Sequence, residues 1–340
     1  MVELTRLTLD EVHHLALRAL QANGVSEDHA TAIADTVTAA ERDDCKSHGL
    51  FRIPGYILSV RSGKVTPDAV PEVRELAPAV VQVDGKNGFA PLALRVGRAP
   101  LAEKARQQGI AALAVTNAYH FAALWPEVEA LGEMGLVGFA CVSTMSYVAP
   151  AGGVKPLYGT NPMAFAWPRA DRPPLVFDQA SSASARGEIM LHERDGHAIP
   201  EGWGIDAQGQ PTTDPAAALA GAQLPFGGYK GAAIALMIEL LAGALIGDVF
   251  SFEATEIDTQ DGGPSIGGEW MIAIDPARCI GSGDRQAQLA YAETLFAKIL
   301  QQDGARLPSD RRYAARLRTP TEGITIPQTL YDELHALGNG

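Results

Sequence analysis

Ser47 and His48 stand side by side, and Arg52 and Tyr56 follow His48 at steps of four residues. Histidine gives and takes protons near neutrality, because its ordinary pKa is about 6.5. The planar guanidinium of arginine holds a carboxylate at two points. A histidine and an arginine on one helix face would suit reduction of a C=O or C=N bond that lies next to a carboxylate. The same residues also read as a capped surface helix from about Gly49 with Ser47 at its entrance, and spacing alone leaves both open.

Other stretches carry polar groups where ligands are often held. In "TNAYHFAALWPEVEALGEMG", residues 116–135, Asn117, Tyr119 and His120 follow a strand end, as turn residues or as ligand contacts. Thr160 and Asn161 in "YGTNPMAFAWP" precede an apolar strand, and Arg186 and Glu188 stand out in the small-residue run "FDQASSASARGEI". "PFGGYKGAAIA", with Tyr229 and Lys230, resembles an anion cradle before a helix N-terminus. No G-x-G-x-x-G and no G-x-x-x-x-G-K-[ST] occurs, so neither a Rossmann domain nor a P-loop is expected. "RLPSDRRYAARLR", residues 306–318, is the one strongly basic segment, where Arg311 and Arg312 could donate to a nucleotide phosphate or simply be solvated. His192 and His197 lack further ligands nearby, so no metal site is expected.

These residues must be held by elements that the hydrophobic pattern outlines. "MVELTRLTLDEVHHLALRAL", residues 1–20, reads as a strand and an amphipathic helix rather than a signal peptide, and Ser26 can cap a second helix with acidic residues in its first turn. Pro67, Pro71 and Pro78 end this helical head near residue 70. "AVVQVDG", "IAALAVTNA", "GLVGFACVST", "PMAFAWPR", "PLVFDQASS" and "EWMIAIDP" read as strands, and "ALRVGRAPLAEKARQQG" as a helix. A polar insert from Arg194 to Ala222 reads as loops, and "RQAQLAYAETLFAKILQQ" returns to helix. The organisation expected is α/β: a mainly helical domain from residues 1–70 with 284–340, and a β-rich domain from 71–283.

The chain has 340 residues, 46% of them apolar, and a formal net charge of −13. Its length exceeds the ~250 to 300 residues at which single cores stop growing, so more than one lobe is expected. The acidic balance excludes nucleic acid and anionic membrane as partners in the absence of a local basic cluster. Cys45, Cys141 and Cys279 are odd in number and form no C-x-x-C pair, which fits a reduced, cytoplasmic setting. The apolar run 231–250 holds Glu239, Asp248 and several glycines, and reads as a buried or subunit-interface helix rather than a membrane span.

Taken in order, "SHGLFRIPGY", "TNAYHFAALWPEVE", "YGTNPMAFAWP", "FDQASSASARGEI", "EGWGIDAQGQPTTDP", "LPFGGYKG" and "LPSDRRY" resemble the successive motifs of the malate/L-lactate dehydrogenase family. Within it, "HFAALWPEVE" with "LPFGGYKG" looks most like the reductases of cyclic imino acids. The resemblance implies a non-Rossmann cofactor domain on a mixed, largely antiparallel sheet. It implies reduction of Δ1-piperideine-2-carboxylate to L-pipecolate and Δ1-pyrroline-2-carboxylate to L-proline, with NADPH or alternatively NADH, in a homodimer. Ser47, His48 and Glu188 would form the catalytic relay, and Arg52, Thr160, Arg186 and Gly187 would bind substrate. The cofactor would lie along Thr116, Asn117, Ala118, Tyr119 and His120, along Asp178, Gln179 and Ala180, on Tyr229, and on the loop Leu307, Pro308, Ser309, Asp310, Arg311, Arg312 and Tyr313. A dehydrogenase of an open-chain 2-hydroxy acid and a non-catalytic nucleotide-binding protein are the alternatives.

Overall fold

The computed structural model describes residues 3–281 and 283–339. Strand β1 (Leu4–Leu7) leads into α1 (Leu9–Ala22), whose capping box pairs Thr8 with Glu11. Helix α2 (Glu27–Arg42) follows with Glu27 and Asp28 in its first turn, although the Ser26 side chain makes no capping bond. The continuous helix expected from Gly49 is broken. Two 3-10 turns, Lys46–His48 and Leu50–Arg52, precede α3 (Ile53–Arg61). The cause is the buried Glu41 carboxylate, which accepts the Leu50 N–H at 2.8 Å and fills the space that a side chain on Gly49 would need. Burial raises the pKa of Glu41.

The centre of the chain runs β2 (Glu72–Ala77), β3 (Val80–Phe89), α4 (Ala90–Gln108), β4 (Ile110–His120), α5 (Trp125–Glu133), β5 (Val137–Val142), β6 (Met163–Arg169) and β7 (Arg172–Gln179). After α6 (Arg186–Asp195), the polar insert folds as β8 (Gly204–Ile205), β9 (Pro211–Thr212), α7 (Pro215–Ala220) and β10 (Ala222–Gln223), its strands forming a small antiparallel sheet. Helix α8 (Tyr229–Ile238) widens into a π segment, Glu239–Ala244, before α9 (Ser251–Glu256), β11 (Ser265–Ile266) and β12 (Glu269–Ile274). Helices α10 (Arg285–Leu300) and α11 (Asp310–Glu322), strand β13 (Ile324–Pro327) and α12 (Gln328–Leu337) complete the chain.

The main sheet has the order β2-β3-β4-β12-β5-β6-β7, with β11 on β4. Only β3 and β4 are parallel, joined by the α4 crossover. The late strand β12 thus lies at the middle of the sheet. Helices α4 and α5 bury Leu94, Leu101, Trp125, Val128 and Leu131 with Val83, Leu113 and Val115 of the strands. On the other side, Ile238 and Ala242 pack on Cys141 and Trp270, leaving Leu236, Leu240 and Leu245 exposed. No helix among the described residues is long and apolar enough to cross a membrane.

Antiparallel pairing of β1 with β13 joins the two chain ends. Around that ribbon, Val12, Leu20, Ile33, Val37, Ile53 and Leu334 form a separate helical core. Helix α10 sits apart from it: Glu293 pairs with Arg169 of β6 at 2.6 Å.

Candidate active site

A cavity of about 590 Å³ opens where the helical core meets the sheet. One wall is the pair of 3-10 turns, with Ser47, His48 and Arg52; facing walls come from the ends of β4 and β7, the start of α6, and the loop at 258–263. That loop is clamped from the helical side by Lys64, whose Nζ donates to Asp258 at 2.9 Å and Asp261 at 2.6 Å.

Ser47 Oγ and His48 Nδ1 are 3.1 Å apart. Burial, with the Arg52 and His120 charges nearby, pushes His48 down to about 3, so its imidazole is neutral across the ordinary working range. Arg52 Nε donates to the Ser47 carbonyl at 2.6 Å, and its guanidinium lies 4.3 Å from the centre of the Phe121 ring. Among the described residues, the terminal nitrogens of Arg52 have no hydrogen-bond acceptor, so its fork is free for a carboxylate. Gly187 provides the close approach: a side-chain carbon there would sit 3.3 Å from an Arg52 nitrogen. Arg186 stacks 3.9 Å over Tyr147, and Thr160 completes this side. Cys45 is in the same wall, and burial pushes its thiol up to about 11, which favours the protonated form.

Glu188 is not brought to His48. Neighbouring positions on a helix point about 100° apart, and with Gly187 turned to Arg52, Glu188 faces solvent. Its carboxylate is exposed and lies 4.0 Å from His192. Glu193 of α6 and Asp258, held by Lys64, line the cavity, as does Asp178 at the end of β7. Its Oδ2 accepts the N–H groups of Leu124 and Trp125, both at 3.0 Å, and so caps α5. Burial raises its pKa against those bonds and the Arg312 charge. His120 also lines the cavity, backed by Glu269, a residue with no motif to announce it. Tyr147, Phe121 and Trp125 were equally invisible as site residues, because aromatic side chains in apolar runs read as core.

A model of the malate/L-lactate dehydrogenase family matches residues 7–335. The chain belongs to this family. A Δ1-pyrroline-2-carboxylate/Δ1-piperideine-2-carboxylate reductase of Pseudomonas aeruginosa is 55% identical to it over 332 residues, 98% of this chain and 99% of that one. A Δ1-pyrroline-2-carboxylate reductase of Ancylobacter novellus is 52% identical over 338 residues, 99% of each. The crystal structure of a Δ1-piperideine-2-carboxylate reductase from Pseudomonas syringae pvar. tomato superposes with a TM-score of 0.91 at 42% identity, covering 98% of this chain and 99% of that one.

As a malate/L-lactate dehydrogenase family member the chain takes a nicotinamide cofactor, and the cavity sorts the sequence candidates for holding it. His120, Asp178, Gln179, Ala180 and Arg312 line it. Thr116, Asn117, Ala118 and Tyr119 do not: Thr116 and Ala118 are buried in β4, and Asn117 bonds Asp248 and Asp84. In the α11 loop, Leu307 is buried, Pro308 and Arg311 are exposed, and Asp310 caps the Leu307 N–H at 2.8 Å. Ser309 donates to the Val176 carbonyl, and the Tyr313 hydroxyl bonds Glu129 at 3.0 Å. Arg312 Nη2 donates to Ser309 Oγ at 3.2 Å and to the Val176 carbonyl at 3.1 Å, which fixes the guanidinium. Tyr229 is exposed beside a second depression near Gly227 and Gly228, away from the cavity. The donor set fits a nucleotide: Arg312 stacks 4.9 Å over Trp125, and its Nε and the indole Nε1 are buried without hydrogen-bond partners among the described residues.

Proposed function

We propose that this enzyme reduces cyclic imino acids, Δ1-piperideine-2-carboxylate to L-pipecolate and Δ1-pyrroline-2-carboxylate to L-proline, with NADPH. The observation that carries the reading is His48 beside the guanidinium fork of Arg52, which has no protein acceptor among the described residues, in one cavity. The full-length likeness to reductases named for these substrates supports it. Arg52 holds the ring carboxylate at two points, and Thr160 and Arg186 border the ring. Because His48 is neutral, it is a poor proton donor and a good acceptor. The imine therefore enters protonated, and the His48 nitrogen turned away from Ser47 accepts its N–H. A bound nicotinamide supplies hydride to the carbon bearing the carboxylate. The C=N electron pair moves onto nitrogen, which keeps its proton, leaving the neutral amine. Asp178, fixed by the α5 amides, favours the cationic imine over a neutral carbonyl, and Ser47 sets the His48 ring.

NADPH is favoured over NADH because Arg312 and the neighbouring Arg311 offer cations for an extra phosphate. The exposed apolar stripe of α8 and the π segment supports a homodimer, and three unpaired cysteines support a cytoplasmic setting. Assays with both imines, pyruvate and oxaloacetate, each with NADPH and NADH, test the reading. Turnover of the imines above the oxoacids is expected. Faster reduction of an oxoacid would replace it by a 2-hydroxy acid dehydrogenase.

A further inference from the structure

We infer that Glu239 is a positioning residue for the substrate wall formed by Thr144 and Thr160, an assignment that rests on the reading of this cavity as the imino acid site. Glu239 is the first residue of the π segment and is only 4% exposed. Among the described residues no Lys, Arg or His lies within ion-pair distance of it. A buried carboxylate without a counter-ion is costly unless neutral donors satisfy it. Four do so. Oε1 accepts the Asn161 side-chain amide at 2.6 Å, the Ser251 hydroxyl at 2.5 Å and the Gly159 N–H at 3.5 Å. Oε2 accepts the Ser251 N–H at 2.9 Å.

The donors bracket Thr160. Gly159 and Asn161 are its two chain neighbours, and Asn161 is fully buried with a φ of +36°, a conformation that needs outside support. Asn161 Oδ1 in turn accepts the Thr144 N–H at 3.4 Å. The Thr160 carbonyl is held from the far side by the Ser181 N–H at 2.8 Å and hydroxyl at 2.9 Å. Both threonines line the cavity, whereas Glu239 does not. Glu239 thus holds two stretches of backbone that line the cavity without lining it itself. A π turn inserted in a helix is a frequent companion of such sites, and here it begins at the residue that makes the bonds.

The test is Glu239→Gln, which keeps size and removes the charge, turning an amide toward the Asn161 amide. Loss of a charged hydrogen bond predicts a rise in KM for Δ1-piperideine-2-carboxylate of about tenfold or more, with kcat within about threefold and NADPH affinity by fluorescence titration within about twofold. Ser251→Ala, which removes one donor, should raise KM by a smaller factor and serves if the first variant does not fold. A merely structural role would lower the melting temperature and the active fraction, hence kcat, with KM unchanged; that result in either folded variant overturns the assignment. Wild-type protein assayed alongside separates the two readings. If it reduces an oxoacid and not the imine, the proposed reaction fails, and the same variant ratio measured on that oxoacid decides the role of Glu239.

Discussion

His120 Nε2 lies 3.0 Å from Glu269 Oε2, with both side chains buried between the sheet and the cavity. At that distance the two attract whenever His120 is protonated and Glu269 ionised. Burial alone would lower His120, but Glu269, with Glu127 and Asp178 behind it, reverses the direction and raises it.

That sign sets a pH dependence. A histidine raised above its ordinary 6.5 contributes stability fully present below pH 6.5 and lost as pH climbs through the raised value. Glu269→Gln should remove this contribution, at a cost of about 3 kcal/mol for a broken buried pair. The gap in melting temperature between wild type and variant should be widest near pH 6 and narrow toward pH 9. A gap independent of pH would mean that the pair is not charged.

His48 has the opposite sign. Its folded value of about 3 lies below the ordinary 6.5, so the unfolded chain binds the extra proton between those limits. Stability attributable to His48 is intact above pH 6.5 and falls as pH drops toward 3. His48→Asn should flatten this decline in a melting series, and His48→Ala should abolish turnover while leaving NADPH binding largely intact. Normal turnover in the alanine variant would exclude His48 from the chemistry.

Arg52→Lys keeps a charge but loses the fork. The ammonium cannot hold the carboxylate at two points while replacing the 2.6 Å bond to the Ser47 carbonyl. KM for either imine should rise about tenfold or more, with a smaller change in kcat. Steady-state kinetics in which KM is unmoved would take Arg52 out of the substrate site.

The two acids can be told apart directly. Asp178→Asn retains an oxygen for the Leu124 and Trp125 amides, so α5 stays capped while the cavity loses a charge. Turnover should fall by about a hundredfold with little change in melting temperature. Glu188→Ala, at an exposed position, should leave kcat/KM within about twofold. The reverse ranking in paired assays would make Glu188 the relay acid and remove Asp178 from the chemistry.

Much of the layout was legible in the residues themselves. The alternation in "AVVQVDG" and the apolar runs of β4 and β5 mark strands because side chains on a strand alternate between faces. Thr8 with Glu11 announces α1 because those side chains satisfy free amides at a helix start. Ser47, His48 and Arg52 could be picked out by type, since proton exchange and two-point carboxylate binding belong to few side chains. Tertiary structure decided the rest. Period tells which face of an element is apolar but not which neighbour covers it, so the place of β12 between β4 and β5 came only with folding. The broken helix after Gly49 depends on the buried carboxylate of Glu41, which meets Gly49 and Leu50 eight and nine residues further on, contacts that no local propensity encodes. That Glu188 lies outside the cavity wall is likewise a matter of rotation: one helix start turns Gly187 inward, and a carboxylate one residue later is carried out to solvent.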